Sequence, residues 1–341
     1  MVNRRLLTAM VCSVVFVGAA FFRSVVTSAP VNAAVTPPAL TSTTLASQIY
    51  GASRSNLVGL IQPTLKELRS QPPWKFVALS QLPWDCNPRI STALVSNPIP
   101  CTYGPVTATR TVALVGASHA GMWLSALTAM AYQDGFRLKA FLYPGCPPVI
   151  MDFNSELVRF DGVVTAKSCE DWNANVINQV NNLNPEIVIV GGGIEAARGV
   201  AATVNQYTTG MTSFIARLTT PTKILLGSTV YFPSSKETSR CLSSHLSTVT
   251  VCNNLYNGFN ANDPTTLLLR RDRIVASTTG ARLVPLISLT CTPSTKSKPV
   301  AICPPVVNHH IVFTDGCHLS DNYVTYVAPV FRSLLLPALN P

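Results

Sequence analysis

The sequence predicts an α/β fold: a three-layer α/β/α sandwich with a central parallel sheet. Three observations support this prediction: short apolar or β-branched runs, longer runs with apolar residues at helical spacing, and a regular alternation of the two. The first short run, Thr111 to Val115, is too short for a helix and has the composition of a buried parallel strand. The run from His119 to Tyr132 then predicts a helix.

The same alternation continues to the end of the chain. Further strands are predicted at 136–143, 186–190, 223–226 and 282–287, and further helices at 170–183, 211–218, 265–277 and 320–335. Upstream, apolar residues near helical spacing predict a helix at 57–69, which Pro63 is expected to kink or restart. No internal repeat stands out, so the main domain is expected to be a single α/β domain.

Four parts are expected along the chain: a signal peptide or N-terminal membrane anchor, a flexible linker, a wrapping extension and the main domain, at 1–33, 34–52, 53–110 and 111–341. Arg4 and Arg5 precede an apolar run at 6–22, which is typical of an export signal or a short anchor. The linker is rich in Ser, Thr, Ala and Pro. The sequence therefore predicts a secreted or extracytoplasmic protein, membrane-attached through 6–22 if that segment is not cleaved.

Composition excludes two classes of protein. Apolar residues make up 47% of the chain and charged residues 12%, so a disordered protein is excluded. The net charge of +10 is basic, but there is no Lys/Arg run of the kind that binds nucleic acid. We therefore expect no nucleic-acid partner.

Two segments carry the residue types needed for nucleophilic catalysis. Ser118 follows the first predicted strand, at the strand end where open α/β sheets place their ligands. Near the other end of the chain, Asp315 and His318 are three residues apart, close enough for the carboxylate to orient the imidazole. Serine, histidine and aspartate together can activate a hydroxyl for acyl transfer.

These motifs resemble those of the SGNH (GDSL-type) hydrolases. The resemblance rests on a strand followed by G-x-S-H at 116–119 and on D-x-x-H-L-S at 315–320 before a final helix. It is closest to the extracytoplasmic SGNH domain associated with acyltransferase-3 membrane proteins. Four further features resemble that group: Gly145-Cys146-Pro147, Cys169 with Trp172, Pro185 before a strand, and Cys303-Pro304.

The resemblance covers roughly 57–335 and implies a flavodoxin-like SGNH hydrolase fold, with the catalytic domain at 111–341. It implies a serine esterase or O-acyltransferase acting on acyl esters of envelope glycans or glycolipids. Ser118 would be the nucleophile, His318 the general acid and base, and Asp315 the group that orients His318. The implied partners are an acyl donor, a glycan or glycolipid acceptor and a separate membrane acyltransferase, and no cofactor is implied.

The residues expected to bind the oxyanion match the family motif only in part. The resemblance implies the backbone amides of Ser118 and Gly145, together with an asparagine in a G-x-N-D block after the third strand. Here that block reads G-G-G-I-E at 191–195, so the amides of Gly192 and Gly193 are the candidate substitutes. Ala117 also replaces the aspartate of the G-D-S motif.

Ten cysteines in an exported chain suggest disulfides. Eight of them fall into couples that are close in sequence. Sequence alone leaves their connectivity open, but the resemblance supports pairing within each couple. The implied couples are Cys86 with Cys101, Cys146 with Cys169, Cys241 with Cys252, and Cys291 with Cys303. Cys12 and Cys317 remain. Three roles are open for Cys317: a buried spectator, which is the favoured interpretation, a competing nucleophile, or a site where oxidation blocks activity. No metal site is expected, because there is no C-x-x-C pair and His309-His310 has no ligand partner at a usual spacing.

Three other functions compete with the esterase hypothesis. A catalytically degenerate SGNH-fold binding or scaffold protein of the envelope is favoured by Ala117 and the missing asparagine. An α/β-hydrolase would need several strands before the serine and its acidic residue well before the histidine, and neither holds. Gly191-x-Gly193-x-x-Ala196 imitates a dinucleotide-binding motif but lacks the acidic residue about 20 positions later.

Overall fold

The computed structural model describes residues 39–339 except 57–58, 71–76, 78–81, 154–163, 193–200 and 232–237. The predicted signal or anchor at 1–33 lies outside these residues, as does the candidate Gly193. No helix within the described part of the chain is both long enough and apolar enough to span a bilayer.

A six-stranded sheet forms the centre of the structure. The described residues form ten strands in all, six of them in this sheet. They are β1 (Cys101–Tyr103), β2 (Arg110–Gly116), β3 (Phe136–Leu142), β4 (Ile187–Gly191), β5 (Thr222–Leu226), β6 (Asn254–Asn257), β7 (Arg282–Val284), β8 (Val300–Cys303), β9 (Val306–Val307) and β10 (His310–Ile311). The central sheet has the order β1-β3-β2-β4-β5-β7, and β9–β10 and β6–β8 form two small antiparallel pairs. All central strands are parallel except β1, which pairs antiparallel with β3.

Ten helices connect or flank these strands in the described part of the chain. They are α1 (Ser42–Ala52), α2 (Leu65–Ser70), α3 (Ala93–Ser96), α4 (Ser118–Gly121), α5 (Leu124–Asp134), α6 (Ala166–Leu183), α7 (Ala201–Ala216), α8 (Thr238–Ser244), α9 (Pro264–Thr279) and α10 (Asp321–Leu339). Local sequence explains several of their ends. For example, α6 begins at a capping box between Thr165 and Ser168, and α5 ends at Gly135 in the left-handed conformation.

Alternate residues of each central strand face opposite layers, because successive side chains of a strand point to opposite faces. On β2, Val112 and Leu114 join the core formed with α1, α5 and α10. Their neighbours Ala113 and Val115 join a second core formed with α6, α7 and α9. The three-layer α/β/α prediction is therefore confirmed.

The strand order decides where a site can form. Among the parallel strands, the first in the chain, β2, lies between the second, β3, and the third, β4. The connection from β2 to β3, through α5, and the connection from β3 to β4, through α6, lie on opposite faces of the sheet, which opens a crevice beyond the carboxyl end of β2. The turn at the end of β2 leads directly into Ser118.

The structure corrects four sequence predictions. The linker predicted at 34–52 contains α1, which forms because Leu45 and Ile49, one turn apart, bury against the main core. The domain boundary predicted at 111 is too late, since β1 belongs to the central sheet. The helix predicted at 57–69 begins only at Leu65, after a bridge from Gln62 to His310 and after Pro63. The last central strand ends at Val284 because Pro285 has no N–H for the ladder.

The four expected disulfides are present. They join Cys86 to Cys101, Cys146 to Cys169, Cys241 to Cys252 and Cys291 to Cys303. Each closes a loop of 11 to 23 residues of sequence separation, a length for which cross-linking contributes about 3 kcal/mol in the chain-entropy model. Cys317 is buried and is not joined to another cysteine of the described residues.

Candidate active site

Ser118 is held where β2 passes into α4 by unusually close backbone packing. A Cβ atom at Gly116 would lie 2.6 Å from the carbonyl oxygen of Gly191, and one at Gly191 would lie 2.4 Å from the Cβ of Ala120. Only glycine fits at both positions, because real Cβ contacts are longer. The two glycines let α4 pack directly on the end of β4, and this fixes the helix that begins with Ser118.

The proposed base and its orienting acid lie on a turn before α10. Phe313 bridges antiparallel to Leu319, and the N–H of Thr314 donates to the carbonyl of His318 at 3.0 Å. These bonds close a narrow loop that contains Asp315 and His318. The loop presents both side chains toward Ser118, which lies 200 residues earlier in the chain.

The three side chains form a continuous hydrogen-bonded series. His318 Nε2 lies 2.8 Å from Ser118 Oγ, and His318 Nδ1 lies 2.7 Å from Asp315 Oδ2. The other carboxylate oxygen of Asp315 accepts the backbone N–H groups of Cys317 and His318, each at 2.7 Å. Because the Nδ1–H group of His318 donates a hydrogen bond to Asp315, the Nε2 lone pair is the one that faces the serine.

The two ionisable groups shift each other's pKa in the directions that this arrangement requires. Burial acts to raise the pKa of Asp315, but the hydrogen bonds and charge of His318 outweigh it and hold that pKa well below its usual range. Burial acts to lower the pKa of His318, but Cys317 and Asp315 outweigh it and raise that pKa well above its ordinary value. Asp315 therefore stays ionised beside an imidazole whose protonated form is stabilised.

Gly145 lies in the turn after β3, next to the end of β2. Its φ of +90° is in the region that favours glycine. The Arg89 guanidinium donates to the carbonyl oxygen of Pro144 at 3.1 Å. Since that carbonyl and the Gly145 N–H belong to one planar trans peptide, holding the oxygen also fixes the direction of the N–H. Arg89 thus positions a candidate oxyanion donor.

Gly192 lies at the end of β4 against a buried ion pair. A Cβ there would lie 2.9 Å from Nη2 of Arg271. That nitrogen donates to Asp272 Oδ1 and to Ser228 Oγ, each at 2.8 Å, and Asp272 Oδ2 accepts the Ser228 N–H at 2.6 Å. Arg271 and Asp272 are each 1% exposed. The cluster joins the end of β4 to the segment after β5.

His119 and Cys317 complete the surroundings of His318. The His119 ring is buried, and its centroid lies 4.9 Å from that of His318. The sulfur of Cys317 lies 3.5 Å from His318 Nδ1, so this thiol touches the proposed base directly.

Sequence reasoning missed Arg89 and the cluster of Arg271, Asp272 and Ser228. Arg89 lies in a Pro-rich segment with no periodic pattern. Arg271 and Asp272 lie in the charged run R-R-D-R at 270–273, whose usual interpretation is a solvated helix face. No local pattern distinguishes these residues, because their roles arise from contacts with segments distant in the chain.

A family model for the "SGNH domain (fused to AT3 domains)" matches residues 85–333. The chain belongs to this SGNH family. The match begins upstream of residue 111, which agrees with the place of β1 in the central sheet. Membership supports an acyl-ester hydrolase or acyltransferase as the general class of activity. A comparison with curated proteins found no match.

Two solved structures are similar to this SGNH chain. One is the periplasmic domain of a lipopolysaccharide acetyltransferase from Salmonella ser. Paratyphi A, with 15% identity, a TM-score of 0.48, and coverage of 74% of this chain and 88% of that one. The other is a mutant of an acetyl-xylooligosaccharide esterase from Geobacillus Stearmophilus, with 12% identity, a TM-score of 0.36, and coverage of 69% and 95%.

Proposed function

We propose that this protein is an extracytoplasmic serine esterase or O-acyltransferase that acts on acyl esters of envelope glycans or glycolipids. The observation that carries the proposal is the series from Ser118 Oγ through His318 to Asp315, with hydrogen-bonding distances of 2.8 and 2.7 Å. The four disulfides support an oxidising compartment. The family's association with AT3 domains supports a membrane acyltransferase as the partner that supplies the acyl group.

The proposed reaction has two steps. In the first, His318 Nε2 takes the proton of Ser118 as Oγ attacks the acyl carbonyl, and His318 then returns that proton to the leaving alcohol. In the second, His318 removes a proton from water or from a sugar hydroxyl, which attacks the acyl-serine. The bond to Ser118 Oγ then breaks, His318 returns the proton to Oγ, and the acid or the new ester is released. Throughout, the ionised Asp315 carboxylate accepts a hydrogen bond from the Nδ1–H group and stabilises the imidazolium.

The negative charge of each tetrahedral intermediate needs hydrogen-bond donors. The amide of Ser118 lies at the start of α4, and the amide of Gly145 is oriented through Arg89. The amide of Gly192 is the third candidate, on a turn held by the Arg271 cluster. Gly193, the fourth, lies outside the described residues. These glycine amides would replace the asparagine of the family motif.

A fluorophosphonate probe tests this proposal, because it reacts only with an activated serine. The full-length chain, with its disulfides formed, is treated with the probe, and the adduct is located by mass spectrometry. We expect labelling at Ser118, none in Ser118→Ala, and loss of most labelling in His318→Ala. Ser125→Ala is a matched control, since Ser125 bonds Asp321 instead of His318, and it should label as the native chain does.

Labelling at Ser118 without turnover of any acyl ester would narrow the proposed reaction to acyl transfer from a specific donor. No labelling of a folded, oxidised chain would overturn the proposal and favour the degenerate SGNH-fold binding protein. In that case, the next search would be for envelope glycans that bind without being altered.

A further inference from the structure

The mechanism leaves two groups beside the base unused: the Cys317 thiol and the His119 imidazole. Together with His318, each offers one ligand atom, and these three atoms all lie within 4.8 Å of one another. A thiolate and two imidazoles are ligands that Zn²⁺ prefers. No local sequence pattern indicates this group, because His119 lies about 200 residues before Cys317 and His318.

We propose that His119, Cys317 and His318 form a binding site for Zn²⁺ or a similar soft divalent cation, and that its occupation switches off the active site. The part of this inference that concerns inhibition rests on the proposed function, whereas the part that concerns metal binding does not. A water molecule would complete a tetrahedral shell.

The geometry needs only small movements to accept the ion. Zinc lies about 2.0–2.1 Å from nitrogen and about 2.3 Å from sulfur, so the ligand atoms of a tetrahedral site are roughly 3.3–3.6 Å apart. The Cys317 sulfur already lies 3.5 Å from a ring nitrogen of His318. The other separations are at most 4.8 Å, so they require a contraction of up to about 1.5 Å, which rotation of the side chains can supply.

The site is enclosed but reachable. His119 is 6% and Cys317 is 7% exposed, whereas the His318 side chain is 22% exposed. A cation from solvent would therefore meet His318 first. On binding, the Cys317 thiol loses its proton to solvent, and the cation accepts a lone pair from sulfur and from each imidazole, with no change of oxidation state.

Binding and catalysis exclude each other at His318. One ring nitrogen of His318 bonds Ser118 and the other bonds Asp315. A cation must displace one of these bonds. If Nε2 binds the ion, Ser118 loses its base, and if Nδ1 binds it, Asp315 no longer fixes the tautomer. Either result stops proton transfer from the serine.

Cobalt is the spectroscopic probe for this site, because Co²⁺ bound to a thiolate shows a charge-transfer absorption band. The full-length chain is prepared as Cys12→Ser, which removes the cysteine outside the described residues. Co²⁺ is added to this protein, to the same protein with Ser118→Ala, and to the same protein with Cys317→Ser. We expect the band in the first two and its loss in the third.

The other ligand and the inhibition are measured separately. His119→Gln should weaken metal binding, measured by calorimetry with Zn²⁺, by at least about tenfold. His245→Gln, at a histidine far from this group, should leave the affinity unchanged. In the native site, Zn²⁺ should slow labelling of Ser118 by the fluorophosphonate, and a chelator should restore it. In Cys317→Ser and Cys317→Ala, the same Zn²⁺ concentration should slow labelling much less.

The two hypotheses fail in different ways. Absence of the Co²⁺ band from both the native and the Ser118→Ala proteins, or its persistence in Cys317→Ser, would overturn the metal site whether or not the enzyme is active. Labelling that is absent before any metal is added would overturn the proposed function and leave the binding result standing. Zn²⁺ binding without slower labelling would overturn the inhibitory role.

Discussion

Substitution of Gly191 by alanine should disable Ser118, the proposed nucleophile, by displacing the helix that begins with it. The new Cβ would lie 2.4 Å from the Cβ and 2.6 Å from the Cα of Ala120, whereas carbon atoms in contact are about 3.5–4.0 Å apart. Ala120 must therefore move by about 1 Å or more. Because α4 has only four residues, Ser118 must move with it.

The magnitude follows from the tolerance of the Ser118–His318 hydrogen bond. The bond is 2.8 Å long, and such bonds weaken beyond about 3.0 Å, so a shift of about 1 Å removes it. A misplacement of that size costs about 100-fold in rate. We expect kcat/KM for p-nitrophenyl acetate, and the fluorophosphonate labelling rate, to fall at least about 100-fold. The overpacking should lower the free energy of unfolding by about 1–3 kcal/mol.

Gly51→Ala is the matched control. It makes the same chemical change within α1, where a Cβ would meet nothing within 4 Å. Removing a helical glycine should raise the free energy of unfolding by about 0.5–1 kcal/mol and leave kcat/KM unchanged. A Gly191→Ala protein that is folded, by urea denaturation and circular dichroism, and that keeps native kcat/KM would refute the packing argument.

Three further predictions concern the surroundings of the site. Arg89→Met should lower kcat about 10- to 100-fold with little change in KM, because the Gly145 amide is then no longer held in position by the arginine. The pH profile of kcat/KM should rise with pH and reach half its maximum above pH 6.5, because neutral His318 is the base and its pKa is raised. Arg271→Met should lower the free energy of unfolding by about 3–5 kcal/mol, measured in urea, because it leaves the Asp272 carboxylate buried without its ion-pair partner.

Each of these predictions has its own control or contrary result. Arg137→Met removes a similar bond, to the Gly104 carbonyl at 3.2 Å, far from the serine, and it should not change kcat. A profile with half its maximum below pH 6 would contradict the raised pKa of His318. For Arg271, Lys167→Met breaks an exposed ion pair with Asp171 and should cost less than about 1 kcal/mol.

The fold and the pairing of motifs were predictable because they depend on local patterns. The apolar run T-V-A-L-V before Ser118, and the similar runs later in the chain, alternate with helical patterns. This alternation predicts the parallel sheet. The spacing of Asp315 and His318 is also local. What brings that turn to Ser118 is the docking of α10 against α5, which no short segment encodes.

The rest of the site was unpredictable because it depends on contacts between segments that are distant in the chain. Arg89 acts on a carbonyl 55 residues away, and Arg271 bonds a serine 43 residues away. The error at 34–52 has a different cause. Ser- and Thr-rich composition has weak helix propensity, and α1 forms because Leu45 and Ile49 gain burial that composition does not reveal.

The 200 residues between Ser118 and His318 also set the order in which the protein gains its reactivity. The turn at 312–320 is among the last segments of the domain to be synthesised, so Ser118 has no base beside it until nearly the whole domain is present. That serine is an ordinary alcohol until the turn at 312–320 has docked. The nucleophile is activated last, when nearly all of the domain has been made.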